Sequence, residues 1–304
     1  MARRLMVWAI LFAVFAAITR TTAQAPGESP VLAAGAKLIK LAGDFKFTEG
    51  PTCDAEGNVY FTDQPNDRIL KWSVDGKLST FLSPSGRSNG LCFDGKGILW
   101  ACADDKNELW SIDGKGKSTV VVKDFKGKLL NGPNDLWIRP DGGIYFTDPF
   151  YKRGYWMRGP KEQDVEAVYY LTPDRKTLTR VADDLMQPNG IIGTPDGKTL
   201  YVADIRAGKT YGYDVQDDGT LKNKRKLCDA GSDGMTLDNA GNVYLTTKSS
   251  VLVFDREGKQ VEKIAVPGGT TNVCFGGKDR STLFITGGTS LHSIETRVKG
   301  AGSQ

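Results

Sequence analysis

A chain of 304 residues with 25 % charged and 39 % hydrophobic side chains has the balance of an ordinary globular protein, which excludes a disordered or fibrous one. The net charge of +4 resides mostly in Arg3, Arg4 and Arg20; without residues 1–25 the count is 37 basic against 36 acidic side chains, which gives no reason to expect a nucleic-acid partner. Five cysteines, an odd number with no C-x-x-C spacing, predict free thiols rather than a disulfide framework.

The chain begins with two arginines, an apolar run over residues 5–18 and the small-x-small triplet Ala23-Gln24-Ala25. This predicts an export signal over 1–25, cleaved because 14 apolar residues are fewer than the roughly 20 that span a bilayer. The mature protein is then expected to be periplasmic or secreted, free of the membrane, with a linker over 26–36. Residues 37–47 read as a strand.

From there the chain repeats. Glu49-Gly50-Pro51 followed by Val59-Tyr60-Phe61-Thr62-Asp63 returns as Asn89-Gly90-Leu91 with Leu99-Trp100-Ala101, and as Asn134-Asp135-Leu136 with Tyr145-Phe146-Thr147-Asp148. It returns again at Asn189-Gly190-Ile191, Asp233-Gly234-Met235 and, more eroded, Thr271-Asn272-Val273. Short strands and Gly turns at a period of roughly 40–55 residues predict one four-stranded antiparallel blade per repeat. No helical apolar stripe supports a solenoid instead. The expected fold is therefore an all-β, six-bladed β-propeller over 37–298, with a tail over 299–304. Its 37–47 strand would complete the last blade and close the ring. The third repeat is the longest, and its excess over residues 151–166 is expected to be a loop, either a substrate wall or simple rim packing.

First strands line a propeller's axis, so the repeat starts Glu49, Asn89, Asn134, Asn189, Asp233 and Thr271 should form one ring of side-chain oxygens. Burying so many polar groups is costly unless they are partnered. A cation would partner them together, and a water-filled polar channel is the alternative. Hard oxygen donors with two carboxylates favour Ca²⁺, then Mg²⁺ or Mn²⁺, with Zn²⁺ possible but deprived of nitrogen and sulfur. Asp63, Asp148 and Asp204, ending second strands, either bind substrate hydroxyls or cap turns. The single histidine, His292, lies far along the last repeat, so a Ser-His-Asp triad is excluded and a carboxylate must move protons.

Taken together, Phe47-Thr48-Glu49-Gly50-Pro51, Ser88-Asn89-Gly90-Leu91, Pro133-Asn134-Asp135-Leu136, Gln187-Pro188-Asn189-Gly190, Asp233-Gly234-Met235 and Asn272-Val273-Cys274-Phe275-Gly276-Gly277 resemble the senescence marker protein/gluconolactonase/luciferin-regenerating enzyme family. The resemblance implies a divalent metal, usually calcium, on Glu49, Asn189 and Asp233, with Asn134 as a fourth ligand or a substrate contact. It implies hydrolysis of a small lactone with Asp233 as base, and Asn89, Asn134, Asp135 and Asp148 are the candidate substrate contacts. No protein partner is implied. Two departures loosen the sugar specificity: Gly132 stands where sugar lactonases often carry an arginine, and Ala103-Asp104-Asp105-Lys106 replaces a Glu-His-Gly phrase. A non-catalytic propeller with a structural calcium, binding sugar or protein on its top face, is the rival expectation.

Overall fold

The computed structural model of the protein describes residues 28–302; the expected signal at 1–25 lies outside them. Six four-stranded antiparallel sheets follow one another along the chain. Blade 1 is built from Thr48–Cys53, Val59–Asp63, Arg68–Trp72 and Leu78–Leu82. Blade 2 comprises Ser88–Phe93, Leu99–Ala103, Glu108–Ile112 and Ser118–Val122, and blade 3 Leu136–Ile138, Ile144–Asp148, Ala167–Leu171 and Leu178–Ala182. Blades 4 and 5 begin at Pro188–Gly193 and Met235–Leu237. Blade 6 takes Asn272–Gly276, Thr282–Gly287 and Ser290–Glu295 from the chain's end and Ile39–Ala42 from its beginning. That closing pairing is antiparallel, Ile39 opposite Ser293 and Lys40 opposite His292, and it joins the two ends of the ring as the sequence predicted.

The second strands explain how the blades stack. With side chains alternating across a strand, each blade buries one set against the preceding blade and the other against the following one. Phe146 packs with Trp100, Cys102 and Leu109 of blade 2, whereas its neighbour Tyr145 packs with Leu200, Val202 and Tyr213 of blade 4. In blade 1, Phe61 faces blade 6 and Tyr60 faces blade 2. The near-continuous apolar strands of the repeats are thus buried on both faces, the pattern expected of sheets covered on both sides.

Residues 28–36, between the expected signal and the propeller, are packed. Val31 is buried within the blade 5–6 cluster, Leu32 bridges Thr296, and the Arg297 amide donates to the Val31 carbonyl. All five cysteines are free thiols, as composition suggested.

Threonines at the strand ends lock adjacent blades near the axis. Thr62 Oγ1 donates to the Asn89 carbonyl (3.2 Å), Thr147 Oγ1 to that of Asn189 (2.8 Å) and Thr246 Oγ1 to that of Thr271 (2.7 Å). Thr147 also accepts from the Asp135 amide at 3.2 Å. Thr147→Val, near in shape, is expected to strand these buried backbone groups at a cost of about 1–3 kcal/mol. Thermal melting should show a Tm lower by a few degrees, and an unchanged Tm would show that the threonine does not hold blades 3 and 4 together.

Candidate functional site

First strands converge on the axis, and the residues after the ring positions show how tightly. A Cβ on Gly50 would stand 2.1 Å from the Asn89 carbonyl oxygen, and one on Gly90 2.6 Å from that of Asn134. A Cβ on Gly234 would fall inside the Asn272 side chain. Blades 1, 2, 4 and 5 therefore carry glycine at this point, whereas blades 3 and 6 carry Asp135 and Asn272 in the space so cleared. Blades 3 and 6 stand opposite in a six-membered ring, and the two side chains meet across the axis, Asn272 Nδ2 donating to Asp135 Oδ2 at 3.3 Å. They form a plug beneath the ring.

Above the plug, Glu49, Asn89, Asn134 and Asn189 are all at least 95 % buried. Asn189 Nδ2 donates to Asp233 Oδ1 (2.8 Å) and to the phenol oxygen of Tyr151 (2.9 Å). Its Oδ1 is buried without a hydrogen-bond partner among the described residues. The Gly50 amide donates to Glu49 Oε2 at 3.0 Å. Asn89 and Asn134 keep their side-chain amides free of hydrogen bonds to the described residues.

Burial, reinforced by the Asp233 charge, holds the Glu49 carboxyl well above the usual carboxylate range. Burial pushes Asp233 up to about 6, opposed by the Asn189 bond and the Arg153 charge. Asp135 is raised to about 7, again by burial first. A carboxyl raised in the fold binds its proton more tightly there than in the unfolded chain, so Asp233 and Asp135 withdraw stability as pH climbs from about 4 through 6–7, and Glu49 acts in the same direction. A divalent cation would cancel that repulsion and use the orphaned Asn189 oxygen. Among the described residues no three His, Cys, Asp or Glu side chains are arranged to hold a metal, so amide oxygens must complete any such site. The hard, all-oxygen donor set still fits an alkaline-earth ion, for which carbonyl oxygens are ordinary ligands.

Three expected positions need correction: Asp135 lies in the plug, its carboxylate on Asn272, rather than among the substrate contacts, and Thr271 and Asp148 are also placed elsewhere. Thr271 does not join the ring: its hydroxyl donates to the Thr48 carbonyl at 2.7 Å and seals blade 6 to blade 1. Asp148 is not a substrate contact. It is fully buried, and its two oxygens accept from the amides of Asn131 (2.9 Å) and Gly132 (2.8 Å). Burial raises it to about 7. Asp63 and Asp204 likewise grip the backbone ahead of their blades, at Lys46 and Phe47 and at Met186 and Gln187. These are the turn caps of the bland alternative.

Other residues at the mouth were missed. The long segment after Asp148 folds over blade 2 and ends on Asp104, which takes Arg153 Nε (3.0 Å), Tyr155 OH (2.5 Å) and Gln64 Nε2 (3.2 Å) on one carboxylate oxygen. Trp156 Nε1 donates to the Asp104 carbonyl at 2.7 Å. A side chain at Gly132 would meet this same Asp104 carboxylate (2.9 Å) and the Trp156 ring (3.2 Å). Gly132 and Asp104 thus belong to one arrangement, in which the loop fills the space a side chain at 132 would need. A cavity of about 660 Å³ opens at the opposite end of the channel, against Cys53, Phe93, Ile138, Gly193 and Leu237 where the first strands end, and shares no residue with the ring.

Fold and ring together define a six-bladed propeller with an oxygen-donor centre at one axial mouth. The chain belongs to the SMP-30/gluconolactonase/LRE-like family, whose model matches residues 47–289. It is 30 % identical to a gluconolactonase of Zymomonas mobilis over 93 % of this chain and 88 % of that one. A solved gluconolactonase of Xanthomonas campestris superposes with a TM-score of 0.81 at 31 % identity, covering 86 % of this chain and 89 % of the other. A luciferin-regenerating enzyme at 19 % identity shares the fold, with a TM-score of 0.72 over 89 % of this chain and 99 % of that one.

Proposed function

We propose that the protein is a lactonase that opens a small cyclic ester, a sugar lactone such as gluconolactone, at the Glu49–Asn189–Asp233 mouth with a divalent cation, calcium by preference. The observation that carries this is the buried, unpartnered Asn189 Oδ1 beside two carboxylates that burial has raised. Family membership and the named gluconolactonases support the reaction class.

Glu49, Asn189 and Asp233 would hold the cation, with Asn134 as a fourth oxygen or a substrate contact. When bound, it supplies Lewis-acid polarisation of the ester carbonyl and offsets charge on that oxygen. The rest falls to the chain. Asp233 takes a proton from the attacking water as its oxygen bonds to the acyl carbon. That proton is returned to the ring oxygen as the acyl–oxygen bond breaks, giving the open hydroxy acid. The free amides of Asn89 and Asn134 are placed to orient ring hydroxyls. Asp135 stays below, tying down Asn272 and closing the channel.

The test is turnover of a lactone panel with calcium and with chelator, together with bound-metal analysis. Chelation should abolish turnover and calcium restore it. Glu49→Gln should weaken metal binding at least tenfold; unchanged metal content would remove Glu49 from the site. No turnover of any lactone by metal-loaded protein would leave a binding propeller in place of an enzyme.

A further inference from the structure

Arg153 lies in the long segment that reaches from blade 3 across to blade 2, where its Nε donates to Asp104 Oδ2 at 3.0 Å. That is its one hydrogen bond among the described residues. Nη1 and Nη2, the end-on edge of the guanidinium, are unused, and the side chain is 23 % exposed. Arg68, by contrast, spends both Nε and Nη2 on Asp63, and Arg158, whose Nη1 takes the carbonyls of Leu130 and Asn131, has its Nε and Nη2 buried rather than open at the mouth.

The group is also held still. Its carbon sits 5.3 Å from the Tyr151 ring centroid, and Asp104 is itself fixed by Tyr155, Gln64 and the nearby Trp156 indole. Its direction follows from its neighbours. Tyr151 reaches Asn189 in the ring, and the Arg153 charge acts on both Asp233 and Tyr151. A rigid, half-used guanidinium therefore stands at the rim of a mouth whose floor is carboxylate.

We propose that Arg153 reads an anionic group on the substrate, so that the preferred lactones carry a carboxylate remote from the ring ester. An end-on guanidinium edge gives two parallel N–H···O bonds to a carboxylate, a geometry that a single hydroxyl cannot match. On the lactonase reading Glu49, Asn189 and Asp233 face the cation and Asp135 is spent on Asn272 below, so the open edge of Arg153 is the charged donor that the rim offers a remote carboxylate. Preorganisation keeps the entropic cost of binding small. This assignment rests on the lactonase reading and names its substrate class. Were Arg153 only a strut between loop and Asp104, its loss would harm all substrates alike.

The experiment compares kcat/KM for a neutral aldonolactone and for its counterpart with the far carbon oxidised to a carboxylate, in wild type, Arg153→Lys and Arg153→Met. Wild type should prefer the acid-bearing lactone at least tenfold at low salt. Arg153→Met should erase that preference chiefly through KM, and Arg153→Lys should keep part of it. Equal losses on both lactones, or no preference in wild type, overturn the assignment. Calorimetry of the open-chain diacid against the monoacid reads the same interaction without turnover. A diacid preference lost in Arg153→Met supports it, and equal binding overturns it. If neither lactone is hydrolysed, the lactonase reading falls, while calorimetry still decides the role of Arg153.

Discussion

Asp233→Asn is expected to lower kcat on a lactone by about 10²- to 10⁴-fold, the range for loss of a positioned general base, with the fold intact. Asparagine preserves the shape, and its amide oxygen can still accept the Asn189 Nδ2 proton that Asp233 Oδ1 accepts at 2.8 Å. What it loses is the ability to take a proton from water, and one of two charges facing a cation. The two losses separate experimentally: raising calcium to saturation restores binding but not the base. The pH profile gives a second check. On the proposed mechanism the active form of Asp233 is the carboxylate, so activity is expected above its pKa and should fall as pH drops through it. Without cation that pKa is about 6, and a bound cation moves it down. The residual rate of Asp233→Asn should lack this acid limb. A variant that retains wild-type kcat at saturating calcium would remove Asp233 as the base.

The blades were legible because each repeat states the same physical requirement in similar residues. Two-faced burial forces apolar second strands, and axial crowding forces Gly50, Gly90, Gly190 and Gly234. The ring was legible for a related reason: equivalent positions meet at the axis, so a column of oxygen-bearing residues becomes a circle. Where periodicity failed to predict, geometry intervened. Thr271 sits in register, but a short hydroxyl reaches a neighbouring carbonyl before it reaches the axis. Asp148 ends its strand as expected, yet two backbone amides lie within reach and claim its carboxylate. Tyr151 and Arg153 belong to an insertion that has no counterpart in the other blades, and its receptor Asp104 stands where blade 1 has Gln64. The signal available was the length of the third repeat and the unusual Asp104, and these two facts meet in one hydrogen-bonded cluster.

Gly50→Ala is expected to be among the most destabilising methyl additions this fold can receive. Gly50 has φ of +45°, where an L side chain costs about 1–2 kcal/mol, and its Cβ would meet backbone rather than a yielding side chain. The Asn89 carbonyl oxygen would lie 2.1 Å away and the Gly90 Cα 2.7 Å away, so blades 1 and 2 must part near the axis. Overpacking of this kind adds about 1–3 kcal/mol, and the total corresponds to a Tm lower by roughly 4–20 °C in a domain of this size. Gly97 supplies the control: its φ is +77°, but nothing lies within 4 Å of an added Cβ, so Gly97→Ala carries the conformational cost alone. Equal Tm losses in the two variants would mean that the close approach of the first strands does not constrain position 50. A larger loss at 50, accompanied by weaker calcium binding, would tie the closeness of the blades to the site itself, because the Gly50 amide that must move is the one that holds Glu49 Oε2 at 3.0 Å.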